Sequence, residues 1–242
     1  MEGGFRQMRI DKLLSELGLC TRREAAKIGK LGGITVDGVP VKDVSKHIDP
    51  EKQTVVLQGR TVVYQKFTYV MLNKPTGYVS ATDDKSLPYV TELLPEELRR
   101  RELFPVGRLD RDTVGLMILT NNGPLAHSLL SPKHHVKKEY LFTSAEPLDK
   151  DAERDFEQGI TLADGYECKS AELYLDESRA QGRIVLTEGK YHQIKRMIAS
   201  RDNRVTSLER ISFGEIRLDP SLDRGEWRYL TEEEIKILEA QG

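Results

Sequence analysis

At 242 residues, 38% hydrophobic and 31% charged, the chain lies in the globular range and is long enough for two domains. It has no apolar run near the roughly 20 residues of a membrane-spanning helix, no apolar signal core in residues 1–7 and only two distant cysteines, Cys20 and Cys168, which points to a soluble cytoplasmic protein without a disulfide framework or thiolate metal centre. The net charge of −2 hides an asymmetry, because residues 8–67 carry 11 Lys and Arg against 7 Asp and Glu while residues 68–242 carry 25 against 31.

Residues 1–7 contain glycine, lack periodicity and are predicted to be a disordered extension. Ile10, Leu13, Leu14 and Leu17 recur at helical spacing and Gly18 offers a stop, which predicts a short amphipathic helix over residues 9–17. Thr21-Arg22-Arg23-Glu24 has capping-box spacing and opens a second helix that ends by Gly32-Gly33. Asp37-Gly38 between Ile34-Thr35-Val36 and Val39-Pro40-Val41 predicts a two-residue hairpin turn, with Pro40 on an edge strand because it has no N–H to give to a ladder. The positive balance of this first domain concentrates nucleic-acid affinity there, since Lys and Arg neutralise phosphates.

Residues 67–72 read as a buried strand entering a second domain. Extended runs follow at 140–143, 170–175 and 182–186, and helical ones at 124–130, 194–201 and after Thr231, which has capping-box spacing to Glu234. Strands and helices do not alternate as βαβ units, so the second domain is expected to be α+β, on a mixed, largely antiparallel sheet. The expected division is 8–66 and 67–242.

The order R-x-D-K-L-L, T-R-R-E-A and I-T-V-D-G-V-P-V, over residues 8 to about 55, resembles the S4-type RNA-binding domain. The resemblance implies two helices and a hairpin, with Arg9, Lys12, Arg22, Arg23 and Lys27 forming one basic face on RNA phosphates. The bland reading of the same residues is a solvated charged face. Gly29-Lys30-Leu31-Gly32-Gly33 departs from the family pattern, which usually has a bulky apolar residue here, and leaves the end of the second helix open.

The segment Gly107-Arg108-Leu109-Asp110-Arg111-Asp112-Thr113-Val114-Gly115-Leu116, followed by an apolar strand and Asn121-Asn122-Gly123, resembles the signature of the pseudouridine synthases. Three further segments agree in order: Lys74-Pro75-Thr76-Gly77 with the family's K-P-x-G, Lys138-Glu139-Tyr140-Leu141 with K-x-Y-L, and Gly189-Lys190-Tyr191-His192-Gln193-Ile194-Lys195 with G-x-x-H-Q-[IV]-[KR]. The resemblance implies a catalytic Asp110, a Tyr140 lying against the target base, Lys195 in the family's basic position and Lys74 in a motif that supports the active-site floor, counted here with Arg108 among the substrate-binding residues. Residues 129–136, Leu-Leu-Ser-Pro-Lys-His-His-Val, resemble the RsuA-like branch. That implies a single uridine of 16S ribosomal RNA as substrate and ribosomal RNA or the assembling small subunit as partner; no cofactor is expected, and a monomer is expected. The alternatives are the same chemistry on 23S ribosomal RNA, a non-enzymatic ribosome-assembly factor, and a glycosidase using Asp110 with Asp112.

Uridine isomerisation breaks the N1–C1′ bond, turns the detached uracil and joins its C5 to the same sugar carbon, with no redox step or group donor. The protein must supply a carboxylate beside C1′, as nucleophile or as stabiliser of positive charge on the sugar. Asp110 has to stay ionised in a water-poor pocket where desolvation opposes ionisation, so a cation must stand beside it, and Lys195 is predicted to pair with it. The uridine must also be turned out of its stack, which an aromatic platform such as Tyr140 assists. Tyr140 is further expected to help remove the C5 proton, and Arg108 to contact a phosphate or fill the space the base leaves. His134, His135 and His192 lack a carboxylate or cysteine at ligand spacing, so no metal is expected.

Overall fold

The computed structural model describes residues 7–242, so the extension expected over residues 1–7 lies, apart from Gln7, outside the described residues. The chain divides into two compact units: the described residues up to Thr68 together with Leu94–Leu103, and Tyr69–Leu93 together with Phe104–Gly242. The segment Leu94–Leu103, which a linear division at residue 67 assigns to the second domain, goes with the first.

The first unit runs β1 (Met8–Arg9), α1 (Ile10–Glu16), α2 (Arg22–Lys30), β2 (Ile34–Val36), β3 (Val39–Pro40), β4 (His47–Ile48), β5 (Val55–Leu57), β6 (Arg60–Val62) and the short α3 (Glu96–Arg99). The Thr21 hydroxyl accepts from the Glu24 N–H and the Glu24 carboxylate accepts from the Thr21 N–H, the reciprocal cap the sequence predicts for α2. Gly29 lies inside α2 because a Cβ there would stand 2.8 Å from Val44 Cγ1, so the glycine serves close packing and the helix continues to Lys30. The hairpin turns at Asp37 and Gly38, both at positive φ, and the antiparallel order β3-β2-β5-β6 leaves Pro40 on an edge. Ile10, Leu13, Leu14, Leu17, Ala25, Ile34 and Val55 bury the helices on this sheet. From the excursion, Leu98 is buried and Arg101 Nε donates to the Leu17 carbonyl at 3.1 Å.

The second unit contains β7 (Tyr69–Lys74), β8 (Phe104–Pro105), β9 (Val114–Thr120), α4 (Gly123–Leu130), β10 (Lys138–Ser144), α5 (Ala152–Gln158), β11 (Glu172–Leu175), β12 (Gln181–Leu186), α6 (Gln193–Ala199), β13 (Val205–Phe213), β14 (Ile216–Arg217), β15 (Trp227–Tyr229) and α7 (Glu232–Ala240). Among the described residues these strands form one nine-stranded sheet, ordered β11-β12-β10-β13-β9-β7-β15 with β14 on β13 and β8 on β9. Every pairing is antiparallel except β13 with β9, so the fold is α+β on a mixed, largely antiparallel sheet. β7 is buried at every position, as expected of a central strand, and begins at Tyr69 rather than at residue 67. Among the described residues no helix is long and apolar enough to cross a membrane.

One row across this sheet positions the site. Tyr140 on β10 faces Arg210 on β13, Arg210 faces Gly115 on β9, and Gly115 faces Lys74 on β7. Direct cross-strand partners share a face of a sheet, so Tyr140, Arg210 and Lys74 line one side with a bare position between them. Gly115 is required there: its φ is +100°, and a Cβ would come within 2.3 Å of the Arg210 carbonyl oxygen.

Candidate active site

The loop between β8 and β9 carries Asp110 and is fastened from below. Lys74 is fully buried, and its Nζ donates to the carbonyls of Pro75 (3.1 Å), Asp110 (3.1 Å), Arg111 (3.3 Å) and Thr113 (2.8 Å). An ammonium has three N–H groups, so four carbonyls share them and hold the chain in a curl around the nitrogen. Burial pulls the Lys74 pKa down to about 8, and the carboxylates of Asp112 and Asp110 oppose that fall. Ser80 adds a second clamp, its hydroxyl accepting from the Leu109 N–H at 2.9 Å and donating to the Leu109 carbonyl at 2.7 Å. A third runs between Gly77 and Arg111, whose Nε donates to the Gly77 carbonyl while the Gly77 N–H donates to the Arg111 carbonyl.

The Asp110 side chain is 25% exposed, and its Oδ2 lies 3.0 Å from Lys195 Nζ on the first turn of α6, the contact anticipated from the sequence. Lys195 also reaches Asp112 Oδ1 at 2.5 Å, so one ammonium bridges two carboxylates. Burial by itself would lower the Lys195 pKa, but its hydrogen bonds to Asp112 and Asp110 and their charges outweigh burial and hold it above the ordinary lysine value. The hydrogen bond from Lys195 keeps the Asp112 carboxyl below its usual range, against a smaller opposing effect of burial. His192 Nε2 approaches Asp110 Oδ1 at 3.5 Å.

Tyr140 is 9% exposed on the same sheet face as Lys74. Arg210 beside it is 1% exposed, with Nε donating to the Leu116 carbonyl at 2.8 Å. Lys138, also on β10, has its pKa lowered to about 8, first by burial and then by the charge of Arg210. Lys74, Arg210 and Lys195 bring positive charge to the region of the Asp110 and Asp112 carboxylates. The grooves lined by Leu141, Tyr174 and Arg183, and by Lys137, Glu139 and Arg217, contain none of the site residues.

The chain has counterparts among known proteins. Residues 68–200 match the RNA pseudouridylate synthase family, and residues 8–53 match the S4 domain. The chain belongs to the pseudouridine synthase family. It is 44% identical over 234 residues to an uncharacterized RNA pseudouridine synthase of Bacillus subtilis (strain 168), a match covering 96% of this chain and 98% of that protein. It is 38% identical over 230 residues to ribosomal small subunit pseudouridine synthase A of Vibrio vulnificus (strain CMCP6), covering 94% and 98%. A crystal structure of a pseudouridylate synthase superposes with a TM-score of 0.67 at 35% identity, covering 96% of this chain and 99% of that one.

Lys74 has no exposed surface, and its nitrogen is held by four backbone carbonyls, those of Asp110 and Arg111 among them. Arg108 is exposed on that loop. Arg9, Arg22, Arg23 and Lys27 are exposed in the S4 unit and Lys12 is half-buried; Arg9 is engaged by Asp11 at 2.7 Å and Lys12 by Glu16 at 3.5 Å. Ser80, His192 and Arg210 were missed. His192 lies inside the G-x-x-H-Q motif, while Ser80 and Arg210 carry no local signal in the sequence. Among the described residues no group of three His, Cys, Asp or Glu side chains is arranged to hold a metal.

Proposed function

We propose that this synthase isomerises one specific uridine of 16S ribosomal RNA to pseudouridine, with Asp110 as the catalytic carboxylate. The observation that carries the reading is a partly exposed carboxylate on a triply fastened loop, paired at 3.0 Å with the Lys195 ammonium. The small-subunit target is supported by relatives named for the small ribosomal subunit, such as that of Vibrio vulnificus, and by the segment around His134 and His135.

In this reading the everted uridine brings C1′ against Asp110. The carboxylate adds to C1′ or stabilises positive charge there while the N1–C1′ electron pair leaves with the uracil. The base turns and C5 bonds to C1′, displacing the carboxylate where it had added; the Tyr140 hydroxyl assists passage of the C5 proton to solvent and N1 takes up a proton from solvent, so no atom is gained or lost. The surrounding cations stabilise the uracil while it carries the departing electron pair. Arg108 contacts a neighbouring phosphate or fills the vacated stack, and Arg9, Lys12, Arg22, Arg23 and Lys27 hold flanking phosphates on the S4 unit.

The test is pseudouridine mapping of 16S and 23S transcripts treated with the wild-type protein and with Asp110→Asn. One converted 16S uridine with the wild type and none with the variant is expected. Conversion at the normal rate by Asp110→Asn removes the carboxylate from the mechanism, and conversion confined to 23S transfers the substrate to the large subunit.

A further inference from the structure

Beside Asp110 the synthase presents an aromatic ring that the fold does not use. Tyr191 is 71% exposed, and its ring lies against the His192 imidazole with centroids 3.8 Å apart and planes 18° from parallel. Neighbouring residues in a chain rarely stack in this way. Here His192 is left-handed, at φ 48° and ψ 34°, a region few non-glycine residues enter.

The surroundings of His192 are specific. The Glu188 carboxylate accepts from Tyr166 Oη (2.7 Å), the Lys169 N–H (2.9 Å) and Gln193 Nε2 (2.6 Å). Gln193 is buried, and its Oε1 accepts from the Lys190 N–H at 2.9 Å. Arg196 Nη1 donates to the Tyr191 carbonyl at 3.4 Å. The backbone on both sides of Tyr191 is thus fixed, one face of its ring is covered by an imidazole 3.5 Å from Asp110, and the ring stays largely in solvent. So much exposed ring adds little to the core, and a preorganised aromatic face next to a nucleotide pocket is what base stacking uses, since every base has a π-face.

Resting on the pseudouridine synthase reading, we propose that Tyr191, backed by His192, is the stacking platform for an unpaired nucleobase flanking the everted uridine. The substrate class at this subsite is single-stranded RNA, and the contact tolerates any base. It holds the RNA strand open where the target leaves its stack, so that binding and eversion are coupled.

The experiment compares full-length wild type with Tyr191→Ala, Tyr191→Phe and Tyr191→Trp, measuring Kd for a 16S transcript by filter binding and KM and kcat on the same RNA. Tyr191→Ala is expected to raise Kd and KM roughly 5- to 100-fold, with the larger share of the loss on KM. Phe and Trp are expected to restore both, because stacking needs the ring and not the hydroxyl. Wild-type Kd and KM in Tyr191→Ala overturn the inference, as does a Phe variant as weak as Ala with a lowered Tm, which assigns the ring a structural role. If the wild type makes no pseudouridine in this RNA, the functional reading is what fails, and the Kd series still decides whether Tyr191 stacks on RNA.

Discussion

Replacing Lys74 by methionine separates positioning from stability. The substitution keeps the buried volume and removes four hydrogen bonds from Nζ. The Asp110 and Arg111 carbonyls keep other donors, the N–H groups of Thr113 and Gly77, whereas those of Pro75 and Thr113 lose the ammonium that served them. Two buried carbonyls deprived of a charged donor cost about 2–6 kcal/mol in all, at about 1–3 each. Against this, keeping a proton on a lysine lowered from 10.5 to about 8 costs about 3 kcal/mol near neutral pH, which the neutral methionine does not incur. The two nearly offset, so Tm is expected to move by only a few degrees. Activity has no such offset, because a loop relaxed by about 1 Å places Asp110 badly and costs on the order of 100-fold in kcat. The assay is tritium release from uridine labelled at C5 in a 16S transcript, with Tm measured in parallel. Wild-type activity should also decline as pH rises through about 8, where Lys74 loses the proton that supplies its donors, and that step should be absent from the residual activity of Lys74→Met. A folded Lys74→Met protein with wild-type kcat would refute the reasoning.

Lys195→Met removes the cation shared by Asp110 and Asp112, and kcat should fall about 100-fold or more while Lys195→Arg retains part of it, read by the same tritium assay. Tyr140→Phe should lower kcat about 100-fold if the hydroxyl assists removal of the C5 proton, and turnover near wild type would confine Tyr140 to stacking. Gly115→Ala drives a Cβ to 2.3 Å from the Arg210 carbonyl oxygen at φ +100°; a loss of about 3 kcal/mol or more, seen as a Tm lower by roughly 10 °C in thermal denaturation, is expected. In the S4 unit, the exposed pair Arg22→Gln and Arg23→Gln should weaken binding to 16S transcripts and reduce the slope of log Kd against log salt by roughly 1–2.

Much of the architecture was legible in the sequence because it is encoded over short stretches. The caps at Thr21 and Thr231, the turn at Asp37-Gly38 and the strand around Met71 each depend on residues within a few positions of one another. The carboxylate was legible for a different reason, in that Gly107–Leu116 is a dense run that resembles a family signature, and Lys195 was legible as the basic position of a second motif of that family. What tertiary structure alone decided is which side chains face the substrate and which face inward. Lys74 and Tyr140 are 66 positions apart, and Tyr140 and Arg210 are 70 apart; only the registers of β7, β9, β10 and β13 put them on one face of one sheet. The same holds for Leu94–Leu103, which lies between strands of the catalytic unit in sequence and packs with the other unit in space. A lysine in a turn motif reads alike whether its ammonium meets water or four carbonyls, because burial depends on strands that arrive from elsewhere in the chain.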